Sequence, residues 1–247
     1  MSDVLHNVLH RFDKGISTVR ADNPLAAMPY LDPTDWAIRF EDFLTNYDVS
    51  QVDSEWTFTL ENACADAIVG PTGVMTLTNG GTDNDSGLLQ ADNQPWQTNS
   101  KPMLYECRAK LDKASGGDIA QSEMFIGLSS NETGTNFMNA GGTAREMDDA
   151  IGFIKYDGKA TMDCMQGEAN TFSTEVDAFT LVDDTWTVFT WYYDGSSSTK
   201  FWVNDDLKAT LTSNVATSVM GPSFFVKDGE GKAQVLSVDY FLIAARR

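Results

Sequence analysis

The period of the hydrophobic residues changes near residue 40, and this change constrains the fold more than any other feature of the sequence. Before that point apolar residues recur at helical spacing, whereas after it they occupy every second position of many short segments. A period of two is typical of strands with one buried face, and short strands separated by Gly, Asn, Asp and Ser turns are typical of a sandwich or jelly roll. The sequence therefore predicts a distinct segment over 1–38 and an all-β, antiparallel β-sandwich domain over 39–247.

The first segment has the pattern of a short amphipathic helix followed by an extended arm. Its apolar stripe consists of Val4, Leu5, Val8, Leu9 and Phe12. Gly15 is placed to end the helix, and three of the seven prolines then fall within ten residues, which favours extended backbone. Because a short helix alone in water is only marginally stable, the stripe is expected to be covered by the chain's own domain or by another subunit. We favour another subunit, which makes these five residues the predicted partner-binding site.

Alternating segments predict most of the strands. They cover 56–60, 103–111, 124–128, 151–153, 224–226 and 235–243. The run 186–193 is apolar on both faces and predicts a central strand, which a short loop joins in a hairpin to 199–203. Beyond the N-terminal segment, only 141–150 has a helical texture. No internal repeat is found, which argues against a propeller or a solenoid.

The charge balance excludes two classes of partner. The chain has 36 acidic and 17 basic residues, a net charge of −19, and no dense cluster of Lys and Arg. Nucleic acids and anionic membrane surfaces are bound by clustered basic residues, so neither is a predicted partner. The acidity is interpreted as favouring solubility, with docking onto a basic surface or tolerance of a salty medium as the alternative.

Cysteine spacing and the N-terminus bear on the compartment in which the protein is made. Cys64, Cys107 and Cys164 are an odd number at wide spacing, which fits neither a disulfide framework nor a zinc motif. They are interpreted as small buried hydrophobes. The N-terminus lacks the features of a signal peptide, and no apolar run approaches the ~18 residues of a membrane span. We expect synthesis in the cytoplasm, with lysis or a non-classical route as the way out of the cell.

An ordered set of motifs runs through the predicted sandwich. It comprises 40–43, Trp56, 80–81, 125–128, Trp186, the Tyr-Tyr-Asp-Gly of 192–195, the Phe-Trp-Val-Asn-Asp-Asp of 201–206 and the Val-Asp-Tyr-Phe of 238–241. The later motifs resemble the hairpin and the closing strand of concanavalin A-like, laminin-G-like jelly rolls. Their joint order is similar to that of jelly-roll structural proteins of tailed bacteriophages. One departure is that the glycine of the family's Asn-Gly turn is Asp206 or absent.

This resemblance covers roughly residues 40–247. It implies a fold of two curved antiparallel sheets. It does not imply one activity, because the same fold serves lectins, glycanases, receptor modules and virion proteins. Function therefore has to be argued from particular residues.

Catalytic signatures are weak throughout the sequence. A glycanase on this fold needs two carboxylates about 5 to 9 Å apart on one strand face, and a Glu-x-Asp-x-Glu triplet that would place them there is missing. The nearest acidic groups are Glu146, Asp148 and Asp149 in a Gly-rich region, interpreted as a solvated turn, and Glu168, Glu175 and Asp177 in a polar stretch.

The two histidines, His6 and His10, lie far from any Ser or Cys candidate and lack a third metal ligand. The sequence therefore predicts that the chain is not an enzyme.

Two segments are candidate ligand sites. The loop 80–87 offers Asp83 and Asp85 as oxygen ligands for calcium, although a turn whose side chains cap their own backbone is the favoured interpretation. Trp96 is the best candidate for an aromatic platform that contacts a glycan, with packing over a sheet edge as the favoured alternative. No other cofactor is predicted.

Three classes of function follow. The favoured one is a virion structural protein, namely a capsid decoration or cement protein that is assembled in the host cytoplasm. Its arm would bind the major capsid protein lattice or other virion subunits. A homo-oligomer is a further expected partner arrangement. Each stripe residue would contribute roughly 1.5–3 kcal/mol if fully buried, and contacts repeated on a lattice would add up by avidity. The alternative is a glycan-binding, lectin-like domain of a phage tail or fibre, with Trp96 or the loops of 130–150 as the reader. A divergent glycoside hydrolase or lyase is the least supported class.

Overall fold

The computed structural model describes residues 34–43, 55–61, 65–69, 73–113, 116–130 and 137–247. Within these ranges the chain forms fifteen strands and one turn of 3-10 helix, Ile119–Gln121. The strands make two antiparallel sheets whose facing sides share one hydrophobic core. This arrangement confirms the predicted all-β sandwich. No helix in the described ranges is long and apolar enough to cross a membrane.

Sheet A has eight strands. They are β1 (Trp36–Glu41), β3 (Ala65–Val69), β4 (Met75–Thr78), β6 (Met103–Lys113), β11 (Thr187–Tyr193), β12 (Thr199–Val203), β13 (Asp206–Leu211) and β15 (Gln234–Arg246). Their order is β13-β12-β11-β6-β15-β4-β3, and β1 also pairs with β15. The long C-terminal strand therefore joins both halves of this sheet.

Sheet B has seven strands. They are β2 (Trp56–Glu61), β5 (Ser86–Ala91), β7 (Ser122–Ser129), β8 (Ala150–Lys155), β9 (Thr161–Glu168), β10 (Thr171–Thr180) and β14 (Gly221–Asp228). Their order is β10-β9-β8-β7-β14-β5-β2, so β9 and β10 lie at one edge. Residues of both strands line the groove described below.

The core between the sheets follows from the alternation of the strands. Tyr105 and Cys107 of β6 face inwards, as do Phe189 and Trp191 of β11. The rings of Tyr105 and Trp191 stack with centroids 5.6 Å apart. Because β11 lies between β6 and β12, the prediction of a central strand is confirmed. Cys107 and Cys164 are buried and free, as expected of small hydrophobes, and burial raises the pKa of both thiols.

The hairpin between β12 and β13 explains how the chain manages without the family glycine. Val203 pairs with Asp206, which leaves Asn204 and Asp205 as a two-residue loop with φ angles of 49° and 68°. Two consecutive positive φ angles are typical of the tight turn that Asn-Gly usually forms. Asn204 also accepts a hydrogen bond from the N–H of Val188 at 2.9 Å. Asp205 thus occupies the position of the glycine, and Asp206 is the first residue of β13.

The predicted arm lies largely outside the described residues. This applies to the helix with its apolar stripe of Val4, Leu5, Val8, Leu9 and Phe12, and to His6 and His10. β1 begins at Trp36, three residues before the predicted start of the sandwich, and Trp36 pairs with Arg246 of β15. The first described strand is therefore an integral part of sheet A.

The second segment with helical texture, 141–150, is not a helix. Its described residues form turns, bends and the start of β8. Asn139 Oδ1 accepts hydrogen bonds from the N–H groups of Thr143 at 2.9 Å and Ala144 at 3.0 Å, and Gly142 has a φ of 60°. Such side-chain bonds to the backbone compete with helix formation, which explains why the prediction fails here.

Candidate functional site

A loop covers the outer face of sheet B, the face turned away from sheet A. Residues 137–149, called here the β7–β8 loop, pack against this face and create a second core. Its members are Leu88, Phe125, Phe137, Met138, Met147, Ala150, Ile154, Tyr156, Met165 and Phe225, with Phe172 packed against them. Phe137 stacks on Phe225 with centroids 5.3 Å apart and meets Phe125 edge-on at 5.4 Å. The loop is therefore fixed to the sheet by its own hydrophobic contacts.

Two buried ionisable side chains lie beneath the same loop. The Nζ of Lys227 donates hydrogen bonds to the carbonyl groups of Asn139 at 2.8 Å and Ala140 at 3.0 Å. The carboxyl of Glu123 lies directly under Gly142, so that a Cβ at this position would overlap it. Since Gly142 also has a positive φ, glycine is required for the loop to close over the sheet.

An open groove of about 670 Å³ lies between the β7–β8 loop and the edge strands β9 and β10. It is lined by Thr143, Ala144, Arg145, Tyr156, Asp157, Lys159, Asp163, Asn170, Thr174 and Val176. Its volume falls within the ~300–1,000 Å³ that is usual for small-ligand sites. The lining combines hydroxyl, amide, carboxylate and cationic groups with one aromatic side chain.

Arg145 forms a flat wall of the groove. Its Cζ lies 4.1 Å from the centroid of the Phe172 ring, and its Nη1 donates a hydrogen bond to the hydroxyl of Tyr156 at 3.5 Å. Burial raises the pKa of Tyr156, so that this phenol is uncharged at neutral pH. In the part of the chain that the structure describes, no carboxylate forms an ion pair with Arg145. The guanidinium thus contacts neutral groups, and the Asp163 carboxylate acts on it only from beyond the distance of an ion pair.

Asp163 and Lys159 supply the second charged region of the groove. Asp163 Oδ1 accepts a hydrogen bond from the N–H of Asp177 at 2.8 Å, and the Nζ of Lys159 lies 4.0 Å from the same oxygen. Lys159 also lies 3.3 Å from Asp177 Oδ1. Burial raises the pKa of Asp163, whereas hydrogen bonds from Thr161 and Lys159 lower the pKa of Asp177. The charge of Lys159 is therefore shared between two carboxylates.

The acidic cluster 146–149 stabilises the turn between β9 and β10. Asp148 Oδ1 accepts a hydrogen bond from the Asn170 side-chain amide at 2.5 Å, and its backbone carbonyl accepts one from the N–H of Asn170 at 2.9 Å. Asp149 Oδ1 accepts one from the N–H of Ala169 at 3.0 Å. These bonds fit the predicted solvated turn, and they fix Asn170 at one end of the groove.

Trp96 does not form an exposed platform. Its side chain is 6% exposed and belongs to the core between the sheets, and its backbone pairs with Met220. The loop packs the indole into the core, whereas the favoured alternative had placed it over a sheet edge, and a glycan contact at Trp96 stays a prediction.

The proposed calcium loop has the features of a capped turn. Asp85 is buried and its Oδ2 accepts a hydrogen bond from the N–H of Thr82 at 3.1 Å, while Asp83 is exposed. Among the described residues, no group of three or more His, Cys, Asp or Glu side chains is arranged to hold a metal ion. Asp85 therefore has the capping role that the sequence analysis favoured for this loop.

Sequence reasoning missed most of the groove. Arg145 falls within the loops of 130–150 that were considered as a glycan reader, but Tyr156, Asp163 and Asn170 come from three other segments. The signal available was an arginine in an acidic, glycine-rich segment, followed by an aromatic-charged turn at 156–159. Only the fold shows that these segments meet at one edge of sheet B.

Comparisons with known proteins bear on the fold. No protein-family model matches the chain, and no curated protein matches it. An endo-1,3-β-glucanase from Streptomyces sioyaensis has a TM-score of 0.60 at 12% identity, over 87% of this chain and 98% of that one. The carbohydrate recognition domain of Emp47p has a TM-score of 0.57 at 8% identity, over 87% and 98%. Peanut lectin has a TM-score of 0.54 at 13% identity, over 85% and 97%.

At such low identities these likenesses show the fold alone. The chain has the fold of concanavalin A-like, legume-lectin-like jelly rolls, which confirms the resemblance at the level of architecture. None of these three structures is a virion protein, so the resemblance to phage proteins stays a prediction.

The prediction that the chain is not an enzyme has to be corrected. The glucanase has this fold, as do the two carbohydrate-recognising proteins, so the architecture is shared by enzymes and lectins. The missing Glu-x-Asp-x-Glu triplet excludes only one arrangement of carboxylates. It does not decide whether other groups, such as those of the groove, act on a substrate.

Proposed function

We propose that this chain is a glycan-binding domain and that the groove beside the β7–β8 loop is its binding site. The observation that carries the proposal is the combination of a flat, aromatic-backed wall at Arg145 with fixed hydrogen-bonding groups at Asp163 and Asn170. Sugar rings present hydroxyl groups around an apolar face, so they are matched by planar surfaces next to oriented donors and acceptors. The fold shared with carbohydrate recognition domains supports the same proposal.

Rigidity of the site also supports it. The β7–β8 loop is held by the second core and by Lys227, and the turn that carries Asn170 is held by Asp148 and Asp149. A groove whose walls are already in place loses little conformational entropy when a ligand binds. The mechanism is therefore the docking of a glycan segment into a preformed groove.

Filling the groove should abolish binding. Val176 lines the groove and is 54% exposed, so Val176→Trp is expected to fold normally and to obstruct the ligand. The measurement is screening of the purified chain on a glycan array, followed by calorimetric titration of the best ligand. We expect at least a tenfold loss of affinity. Release of reducing ends in the same samples separates binding alone from cleavage.

The matched control is Val219→Trp. Val219 is 53% exposed and does not line the groove, so the same bulky substitution there should leave affinity within about twofold, as is usual for a surface change. Equal affinities of the two variants, or the absence of any glycan ligand, would contradict the proposal.

A second proposal is attachment to a coat-protein lattice through the N-terminal arm. The observation that favours it is that β1, which follows the arm, exposes Ile38 and Phe40 at 40% and 48% on the outer face of sheet A. Deletion of residues 1–20 should then abolish co-sedimentation with virus-like particles, because it removes the apolar stripe. Full retention of the truncated chain on the particles would rule the attachment out.

A further inference from the structure

We infer that the groove selects glycans that carry an anionic group, a carboxylate or a sulfate, and that Arg145 recognises this group. The inference rests on the proposed function. The chain has more than twice as many acidic as basic residues, yet two cationic side chains, Arg145 and Lys159, line this one groove. In such a chain an arginine would ordinarily find a carboxylate partner.

The two cations differ in what surrounds them. Lys159 lies within 4.0 Å of the carboxylates of both Asp163 and Asp177, so its charge is used within the protein. Arg145 contacts a phenyl ring and a protonated phenol, and no described carboxylate pairs with it. Asp163 interacts with Arg145 electrostatically without forming an ion pair, so the N–H donors of Arg145 that do not contact Tyr156 are available to a ligand.

The orientation of Arg145 suits an oxyanion. The guanidinium lies over the Phe172 ring, and the bond to Tyr156 uses one of its five N–H donors. The remaining donors lie in the plane of the group, which is the geometry that binds carboxylates and sulfated or phosphorylated groups through paired hydrogen bonds. A lysine in the same place would supply charge without this paired geometry.

Neighbouring acidic groups set the selectivity. Asp157 and Asp163 also line the groove, so a ligand with many adjacent anionic groups would be repelled by part of the site. The arrangement fits one anionic group at Arg145 together with neutral hydroxyl groups that face Asp163 and Asn170. This is the chemistry of an acidic sugar within a glycan chain.

The test compares matched pairs of polymers on the full chain. Polygalacturonate is titrated against the same polymer after its carboxylates have been reduced to alcohols, and dextran sulfate is titrated against dextran. We expect at least tenfold tighter binding of an acidic polymer than of its neutral partner. The first pair reports a preference for carboxylate and the second a preference for sulfate.

Substitutions at Arg145 assign the preference. Arg145→Gln should reduce the ratio of acidic to neutral affinity to near one, while Arg145→Lys should restore part of it. Arg108→Gln is the matched control, because Arg108 lies 4.6 Å over the ring of Trp186 on sheet A, away from the groove, and its loss should leave the ratio unchanged. Thermal unfolding of each variant confirms that it is folded.

The outcomes separate the two proposals. Equal binding of acidic and neutral polymers that Val176→Trp abolishes would overturn the inference and leave the proposed function standing. A preference for acidic polymers that Arg145→Gln and Arg108→Gln leave equally intact would overturn the role of Arg145. Binding of none of the four polymers, together with an empty glycan array, would overturn both proposals.

Discussion

Glu123 shows how strongly one residue depends on its surroundings. Its side chain is buried under the β7–β8 loop, and neither carboxyl oxygen accepts a hydrogen bond from any residue that the structure describes. Burial raises its pKa to about 8, although the nearby Lys227 and Lys155 act in the opposite direction. The carboxyl is therefore largely protonated at neutral pH, which avoids an unpaired buried charge.

This shift predicts a pH dependence of stability. Between the unfolded pKa near 4.5 and the folded pKa near 8, the folded state binds more protons at Glu123, so the free energy of unfolding falls as pH rises through this window. Glu123→Gln removes the titration. Relative to the wild type, the variant should gain roughly 3 kcal/mol between pH 5 and pH 8, since one pKa unit corresponds to about 1.36 kcal/mol.

Urea unfolding at several pH values measures this difference. Glu175→Gln is the control, because it makes the same substitution at an exposed residue of β10 on the same sheet. A constant offset between Glu123→Gln and the wild type across the window would show that Glu123 does not titrate as described.

At the scale of elements, the strands that sequence predicted either alternate between apolar and polar residues, as β6 does, or contain a short apolar run, as β7, β11 and β14 do. The sequence of β6 alternates between apolar and polar residues, because Arg108 and Lys110 on its outer face contact solvent. β11 is recognisable by its apolar run. β5 and β9 were not predicted, because buried polar residues interrupt their apolar patterns: Ser86 and Gln90 in β5, and Asp163 and Gln166 in β9. The outer face of β9 is covered by the β7–β8 loop. Because of this long-range contact, both faces of β9 are buried, and its sequence lacks the period of two.

The same reasoning explains what the sequence did not show at the candidate site. Trp96 was named because it lies in a loop, but only tertiary contacts reveal that its indole enters the core. The groove residues were missed because Arg145, Tyr156 and Asn170 are separated along the chain and are assembled by the order β8-β9-β10. The local sequence shows which residue types are present in each segment. It does not show that these segments lie next to one another in the folded chain.

The β7–β8 loop gives a prediction at the same scale. Gly142→Ala should destabilise the chain by about 1–2 kcal/mol from its left-handed backbone alone, and by more through overlap with Glu123. Gly141→Ala is the control, because its nearest neighbour, Thr143 Oγ1, would lie 4.0 Å from the new Cβ. Chemical unfolding measures both variants. Equal stabilities would show that the loop does not close over Glu123.

The whole molecule presents two outer faces of different character. The outer face of sheet B carries the loop, the second core and the groove. The outer face of sheet A carries a smaller apolar cluster of Leu104, Trp202 and Ala244 next to β1. The two faces are separated by the main core, so a glycan at one and a protein partner at the other would not compete for the same surface.

Hydrogen–deuterium exchange with and without a bound oligosaccharide tests the central claim most directly. If the groove is the glycan site, amide protection should increase at 143–145, 156–159 and 170–176 and should stay unchanged on the outer face of sheet A. Protection that appears only around Trp186 or only on sheet A, with the groove segments unchanged, would contradict the assignment of the site.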